Sequence, residues 1–228
     1  MLNYPQRSLK TELLDRDDIP FADIRQNMKE LNVINTLLGG HRISLSGLKA
    51  LMKKDQPLHI VEMGCGGGDN LRALQSYLKK NNIPHQLTGI DIKASCIEYA
   101  KTVNSDIQFI CSDYRSVVFE KQPDIIFNSL FCHHFSQEQL VGMMQWMSEH
   151  SKLGFFINDL QRNRIAHASI RLLTKLFSQS YLVKHDAPLS VQRSFVRSDW
   201  DILLKPFPQK VIQWKWAFRY LVIVKHAD

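Results

Sequence analysis

The segment His59-Ile-Val-Glu62-Met-Gly64-Cys-Gly66-Gly-Gly68-Asp69 constrains this 228-residue chain more than any other part of it. A short apolar run ends in a carboxylate and meets a glycine-dense turn. Such a turn needs positive φ or close backbone approach, and glycine supplies both because it has no Cβ. Beyond it, Leu71, Leu74 and Leu78 recur at helical spacing, so the pattern predicts a helix over Asn70 to Lys80. Strand, glycine turn and helix together open a nucleotide-shaped pocket at the carboxyl edge of an α/β sheet. The glycines are spaced G-x-G-x-G, unlike the G-x-G-x-x-G that seats a pyrophosphate. Glu62 and Asp69 disfavour a nearby anion and suit a cationic ligand.

Four more apolar runs follow. Leu87 to Ile92 carries Asp91, 27 positions after Gly64, where a strand-tip carboxylate accepts ribose hydroxyls. Ile107 to Tyr114 carries Asp113, Pro123 to Leu130 carries Asn128 and Ser129, and Leu153 to Asp159 ends in Asn158-Asp159. Near the C-terminus, Val211 to Phe218 alternates strictly and puts Ile212, Trp214, Trp216 and Phe218 on one face, with the tryptophans expected first in the core and otherwise as a substrate lid. Arg219 to Val224 follows almost at once, which predicts an antiparallel hairpin. A nicotinamide dehydrogenase would continue with parallel strands and crossover helices. The expected fold is therefore α/β: a Rossmann-like, seven-stranded, mostly parallel sheet with a C-terminal antiparallel hairpin and helices on both faces.

The glycine turn and the carboxylates in register after it resemble motif I and the following strands of the class I S-adenosylmethionine (SAM)-dependent methyltransferases. The resemblance implies SAM as cofactor. It places Glu62, Gly64, Cys65, Gly66, Gly68 and Asn70 around the turn, Asp91 and Ile92 at the ribose, Asp113 and Tyr114 at the adenine, and Asn128 and Ser129 at the methionine end. The strand-four end Asn128-Ser-Leu-Phe-Cys-His133-His134-Phe135 is similar to that of ubiquinone/menaquinone-type and other small-molecule methyltransferases. Glu12-Leu-Leu-Asp15, Asn35-Thr-Leu-Leu-Gly-Gly40, Asn158-Asp-Leu-Gln-Arg162, Asp186-Ala-Pro-Leu-Ser190 and Arg193-Ser-Phe195 extend the likeness to bacterial, polyketide-pathway-like enzymes of that kind.

Residues 1–56 read as an irregular acidic arm and two capping helices, Phe21 to Leu38 (stopped by Gly39-Gly40) and Ser44 to Lys54. Residues 57–228 read as the SAM-binding domain, with a helical substrate-side insertion at about 160–205. A helix over 135–151 packs Met143, Met144, Trp146 and Met147 on the sheet. The length suits one α/β core, no apolar run reaches membrane-spanning length, and the N-terminal residues lack the apolar stretch of a secretory signal. The four cysteines, with no C-x-x-C pair, are expected as buried reduced thiols in a cytoplasmic protein.

The insertion carries the charge. Residues 161–228 hold 12 Lys/Arg against 4 Asp/Glu, net +8, and residues 1–160 hold 17 against 18, net −1. Arg164, His167, Arg171 and Lys175 share one face of a basic amphipathic helix, beside an apolar stripe of Ile165, Ala168, Leu172 and Leu176 backed by Leu173 and Phe177. An anionic or carrier-bound substrate, a membrane surface or RNA would each explain that charge, as would a solvated helix face. RNA is disfavoured by the absence of a long basic run, of an appended RNA-binding module and of an Asn-Pro-Pro-Tyr-type tetrad.

These features point to methyl transfer, with oxygen favoured, to a small hydroxylated apolar or aromatic acceptor that is anionic, lipid-like or carrier-bound. His134, then His133, is the candidate general base. Asp159, His167, Arg171 and His185 are the candidate substrate-side residues. No metal is expected, because the His-His pair lacks a matching carboxylate at i+3 or i+4 beyond Glu138. Two alternatives stay open. One is an RNA or protein methyltransferase docking through the basic third. The other is a non-catalytic SAM-binding partner subunit, whose mark would be a pocket filled by the Phe131–Phe135 loop.

Overall fold

The computed structural model describes residues 6–53 and 56–226. Its centre is a seven-stranded sheet: β1 (Leu58–Met63), β2 (His85–Asp91), β3 (Gln108–Cys111), β4 (Ile125–Ser129), β5 (Gly154–Leu160), β6 (Lys210–Lys215) and β7 (Arg219–Lys225). The strand order is β3-β2-β1-β4-β5-β7-β6. β1 to β5 pair in parallel, and β7 runs antiparallel to both β5 and β6. This is the expected fold class. The order reverses between β1 and β4, and an open α/β sheet binds its ligands outside the carboxyl ends of such a switch point.

Around the sheet lie α1 (Phe21–Leu37), α2 (Gly40–Leu51), α3 (Asp69–Lys80), α4 (Ala94–Val103) and α5 (Gln137–His150), then α6 (Arg164–Phe177), α7 (Tyr181–Arg193) and α8 (Arg197–Leu203) of the insertion. Each central strand is buried on both faces, as crossover helices require. One core layer joins Ile43, Leu48 and Leu51 of α2 and Leu71, Leu74 and Leu78 of α3 to Ile60, Ile125, Phe127 and Phe156 of the sheet. The opposite layer joins Met143, Met144 and Met147 of α5 and Trp200 of α8 to Val61, Ile126, Phe155 and Val222. Local chemistry sets the helix starts. Ser136 and Gln139 form a reciprocal capping box at α5, and the Asn163 side chain caps α6.

Three sequence expectations need correction. The second helix begins at Gly40, four residues earlier than the apolar pattern indicated, and ends at Leu51. Gly39 makes the turn with φ 77°, and a Cβ on Gly40 would stand 2.9 Å from the Arg219 guanidinium. Trp214 and Trp216 are exposed, and the buried tryptophan is Trp200. Cys65, Cys96 and Cys132 are buried, whereas Cys111 is exposed at a strand end. The apolar stripe of α6, Ile165, Leu172 and Leu176, is exposed, as is Phe177 at the end of the helix. No helix among the described residues is long and apolar enough to cross a membrane.

Candidate active site

Two cavities lie at the carboxyl edge of the sheet. The outer cleft, about 430 Å³, is lined by Gly64, Asp91, Ile92, Asp113, Tyr114, Phe131 and Trp146 among others. The inner cavity, about 310 Å³, is lined mainly by apolar side chains of α1, α6 and α7, with Glu12, Asn27, His133, His134 and Arg219 as polar groups. Phe131 lines the outer cleft and its neighbour Leu130 the inner cavity. The Phe131 ring packs on Gly64, where a Cβ would meet it at 2.1 Å, and edges onto Phe135 with centroids 4.8 Å apart. Gly64 also has φ 65°, so glycine is needed there for two reasons.

The glycine turn keeps its amides to itself. Gly64 and Cys65 N–H donate to the Ile90 carbonyl, Gly68 N–H to the Cys65 carbonyl, and Gly66 N–H to Asp91 Oδ2 at 2.9 Å. These amides are therefore not free to cradle a phosphate. Carboxylates surround the turn instead. Burial raises the Glu62 carboxyl well above its ordinary value, with Asp69 and Asp91 nearby adding to the rise, and Glu62 Oε2 has no hydrogen-bond partner. Burial also raises Asp91, although the N–H groups of Lys93 and Gly66 hold its carboxylate. Asp69 behaves differently: burial raises its carboxyl, but His41 at 2.7 Å and Asn35 at 2.9 Å bring it below the usual range. Ser129 Oγ is a second buried orphan. Carboxylates and unpartnered acceptors suit a cation that brings its own donors, so the residues present fit SAM.

The cofactor residues named from sequence divide by placement. Gly64, Asp91, Ile92, Asp113 and Tyr114 line the cleft. Asp113 caps the turn that follows β3 and is paired with Arg115 at 2.5 Å. Asn128 is a correction: it faces the Met143 and Met147 sulfurs and accepts from Cys132, on the α5 side of the sheet. Asn70 is another, since it accepts from Ser44 beneath α2. The Cys65 thiol is likewise turned into the core.

On the inner side, both histidines approach Glu12, 121 positions upstream. His133 Nδ1 lies 2.8 Å from Asp159 and its Nε2 3.5 Å from Glu12. Burial alone would lower the His133 pKa, but the two carboxylates raise it to about 9. Glu12 and Asp159, although buried, are held below their usual range chiefly by His133. His134, more open, has Nδ1 3.3 Å from Asp15 and Nε2 3.7 Å from Glu12. Guanidiniums hold the backbone of this turn. Arg7 donates to the carbonyls of His133 and Phe135, and Arg193 to those of His133 and His134.

Glu12, His133 and His134 bring three ligand-capable atoms within 4.8 Å of one another. The carboxylate missing from local spacing is thus supplied from the N-terminal arm. Its charge is already matched within the protein: His133 holds a proton between Asp159 and Glu12, and Arg193 stands 3.8 Å from Glu12.

Of the substrate-side candidates, Asp159 touches His133 from beneath, while His167 lies 2.8 Å from Gln192 and His185 2.7 Å from Asp186. Neither of those histidines nor Arg171 lines the inner cavity. Sequence reasoning missed Arg219, which is buried, lines that cavity, and donates to Asn35 at 2.8 Å. Burial lowers its pKa to about 10 against the pull of Asp159 and Asp69. It also missed Asn27, whose buried Nδ2 has no partner. The i, i+4, i+8 series Asn27, Leu31, Asn35 on an otherwise apolar helix face was the available signal.

Comparison with known proteins bears on the fold. Residues 60–154 match the family model described as a methyltransferase domain. No curated protein matches in sequence. Among solved structures, the chain is similar to the plantazolicin methyltransferase in complex with SAH, at 19% identity and TM-score 0.65, covering 93% of this chain and 91% of that one. It is also similar to human N-acetylserotonin methyltransferase in complex with SAM, at 15% identity and TM-score 0.64, covering 92% of this chain and 57% of that one. Magnesium protoporphyrin IX methyltransferase from Synechocystis, with bound SAM, follows at 11% identity and TM-score 0.55, covering 83% and 81%. The fold is that of the class I SAM-dependent methyltransferases.

Proposed function

We propose that this chain, with its class I fold and its methyltransferase domain, transfers a methyl group from SAM to an oxygen of a small hydroxylated apolar or aromatic acceptor. The observation that carries this is a cleft holding Asp91 and Asp113 at the carboxyl edge of the sheet, near an apolar cavity that Glu12, His133 and His134 also line. SAM, when bound, supplies a methyl group on a positively charged sulfur. Gly64, Asp91, Asp113 and Tyr114 of the cleft would hold it. The apolar walls exclude water and seat the acceptor.

His133 is kept protonated between two carboxylates, so it orients and does not accept a proton at neutral pH. His134 takes the acceptor's hydroxyl proton as the oxygen–carbon bond forms, and Glu12 and Asp15 stabilise the resulting imidazolium. His133 is thereby a positioning residue and His134 the base. Calorimetric titration with S-adenosylhomocysteine and, in parallel, NADH tests the cofactor. Micromolar binding of the first alone, lost in Asp91→Ala, supports it. A response to NADH alone would move the chain to the dehydrogenases.

Phe131 favours a second reading, a SAM-binding subunit without turnover, because its ring and that of Phe135 occupy the wall of the cleft. Tight cofactor binding with no methyl transfer to any of a panel of phenols, in wild type and in Phe131→Ala, would select it.

A further inference from the structure

α6 wears its apolar face outward. At 100° per residue, Ala166, Ile170 and Thr174 point toward the body of the protein, and Ala166 and Thr174 are buried. Ile165, Leu172 and Leu176 occupy the opposite side, while Leu173 and Phe177 fall on the inward half of the helix, Leu173 lining the inner cavity and Phe177 standing exposed at the helix end. Leu172 is 58% exposed, Leu176 63% and Phe177 78%. Across a groove, α1 adds Val33 at 53% and Leu37 at 74%. A continuous apolar area of this kind marks an interaction surface.

Charge says what the surface meets. Arg164, Arg171 and Lys175 line one flank of the apolar face, all exposed. From residue 161 to 185 the chain has five Lys/Arg and no Asp or Glu. Glu30, the carboxylate on the groove, is occupied by Ser178, Gln179 and Ser180. A second copy docked symmetrically over α6 would bring two basic flanks together with no acid on the helix to meet them. An anionic lipid surface meets both features at once.

The groove between α1 and α6, about 580 Å³, shares Ile34, Leu38, Ile170 and Leu173 with the inner cavity, so it is that cavity's mouth.

We propose that α6 lies on an anionic bilayer, with Ile165, Leu172 and Leu176 in the headgroup–acyl boundary and Arg164, Arg171 and Lys175 at the lipid phosphates. The mouth of the inner cavity then opens toward the acyl region, where apolar molecules partition. The docking itself does not depend on the proposed methyl transfer.

Sedimentation of the full chain with vesicles tests it. Vesicles of phosphatidylcholine alone are compared with vesicles in which a third of the lipid is phosphatidylglycerol, at low and high salt. Binding to the anionic vesicles is expected to be about tenfold stronger or more, and to fall with salt. Leu172→Ser with Leu176→Ser should lose it, and Arg171→Glu with Lys175→Glu should lose the anionic preference. Both pairs are exposed, so unchanged melting temperatures verify folding. Absence of vesicle binding, or binding unaltered in both variants, overturns the proposal. So does a dimer in sedimentation equilibrium that the serine variant turns into monomer, which would give the face to a second copy. Because the readout is lipid binding, an acceptor screen that fails leaves this result standing, and the reverse also holds.

Discussion

At the residue scale, His133 decides the most. Its imidazolium faces Asp159 of β5 and Glu12 of the arm, with His134 stacked beside it and Arg193 and Arg7 on the carbonyls around it. Because its folded pKa is raised from 6.5 to about 9, its contribution is fully present below pH 6.5 and lost as pH rises through 9. A rise of that size corresponds to about 3 kcal/mol. Urea midpoints should therefore fall from pH 7 to 9.5 in wild type, and this decline should flatten in His133→Gln. The lowered Glu12 and Asp159 act in the opposite direction, contributing above their ordinary values and losing that as pH falls. If wild type and variant share the same alkaline slope, the bridge is not the cause. His134→Ala should lower kcat about 10²- to 10⁴-fold with the affinity for S-adenosylhomocysteine unchanged. An unchanged kcat would remove the base from the proposed mechanism.

At the scale of elements, the turn after β1 and the turn after β4 are built against each other. Gly64→Ala places a methyl into the Phe131 ring and puts alanine at φ 65°. It should cost about 2 kcal/mol or more of stability, combining overpacking with left-handed strain. Adding Phe131→Ala removes the clash and leaves the strain, so the double variant should recover part of the loss relative to the sum of the singles. A strictly additive double-mutant cycle in chemical denaturation would show that the two turns do not couple. The strands, α3 and α5 were legible in sequence because their periodicities are local. The start of α2 was not, because Gly40 begins a helix only where Arg219 and Asn35 leave no room for a side chain. The direction of Asn128 was equally hidden, since which face of β4 holds the cofactor depends on where α5 packs.

For the whole molecule, the cofactor cleft is a device of the intact sheet. A ligand that binds only the folded state stabilises by about 2.7 kcal/mol at a hundred times its dissociation constant. For a chain of this size, that corresponds to a rise in melting temperature of roughly 5–10 °C. Calorimetric melts should show such a shift with saturating S-adenosylhomocysteine and none with NADH. No shift with either would mean that the cleft is closed to the cofactor. The sequence by itself determined the strands, the terminal hairpin and the acidic glycine turn, because each rests on residues close together in the chain whose spacing dictates their geometry. Only the tertiary structure decided that Glu12 meets His133 and His134, that Arg219 lines the inner cavity, and that α6 turns its apolar face to solvent. Those outcomes depend on which surfaces the packed core leaves uncovered, and that is a property of the assembled chain rather than of any segment in it.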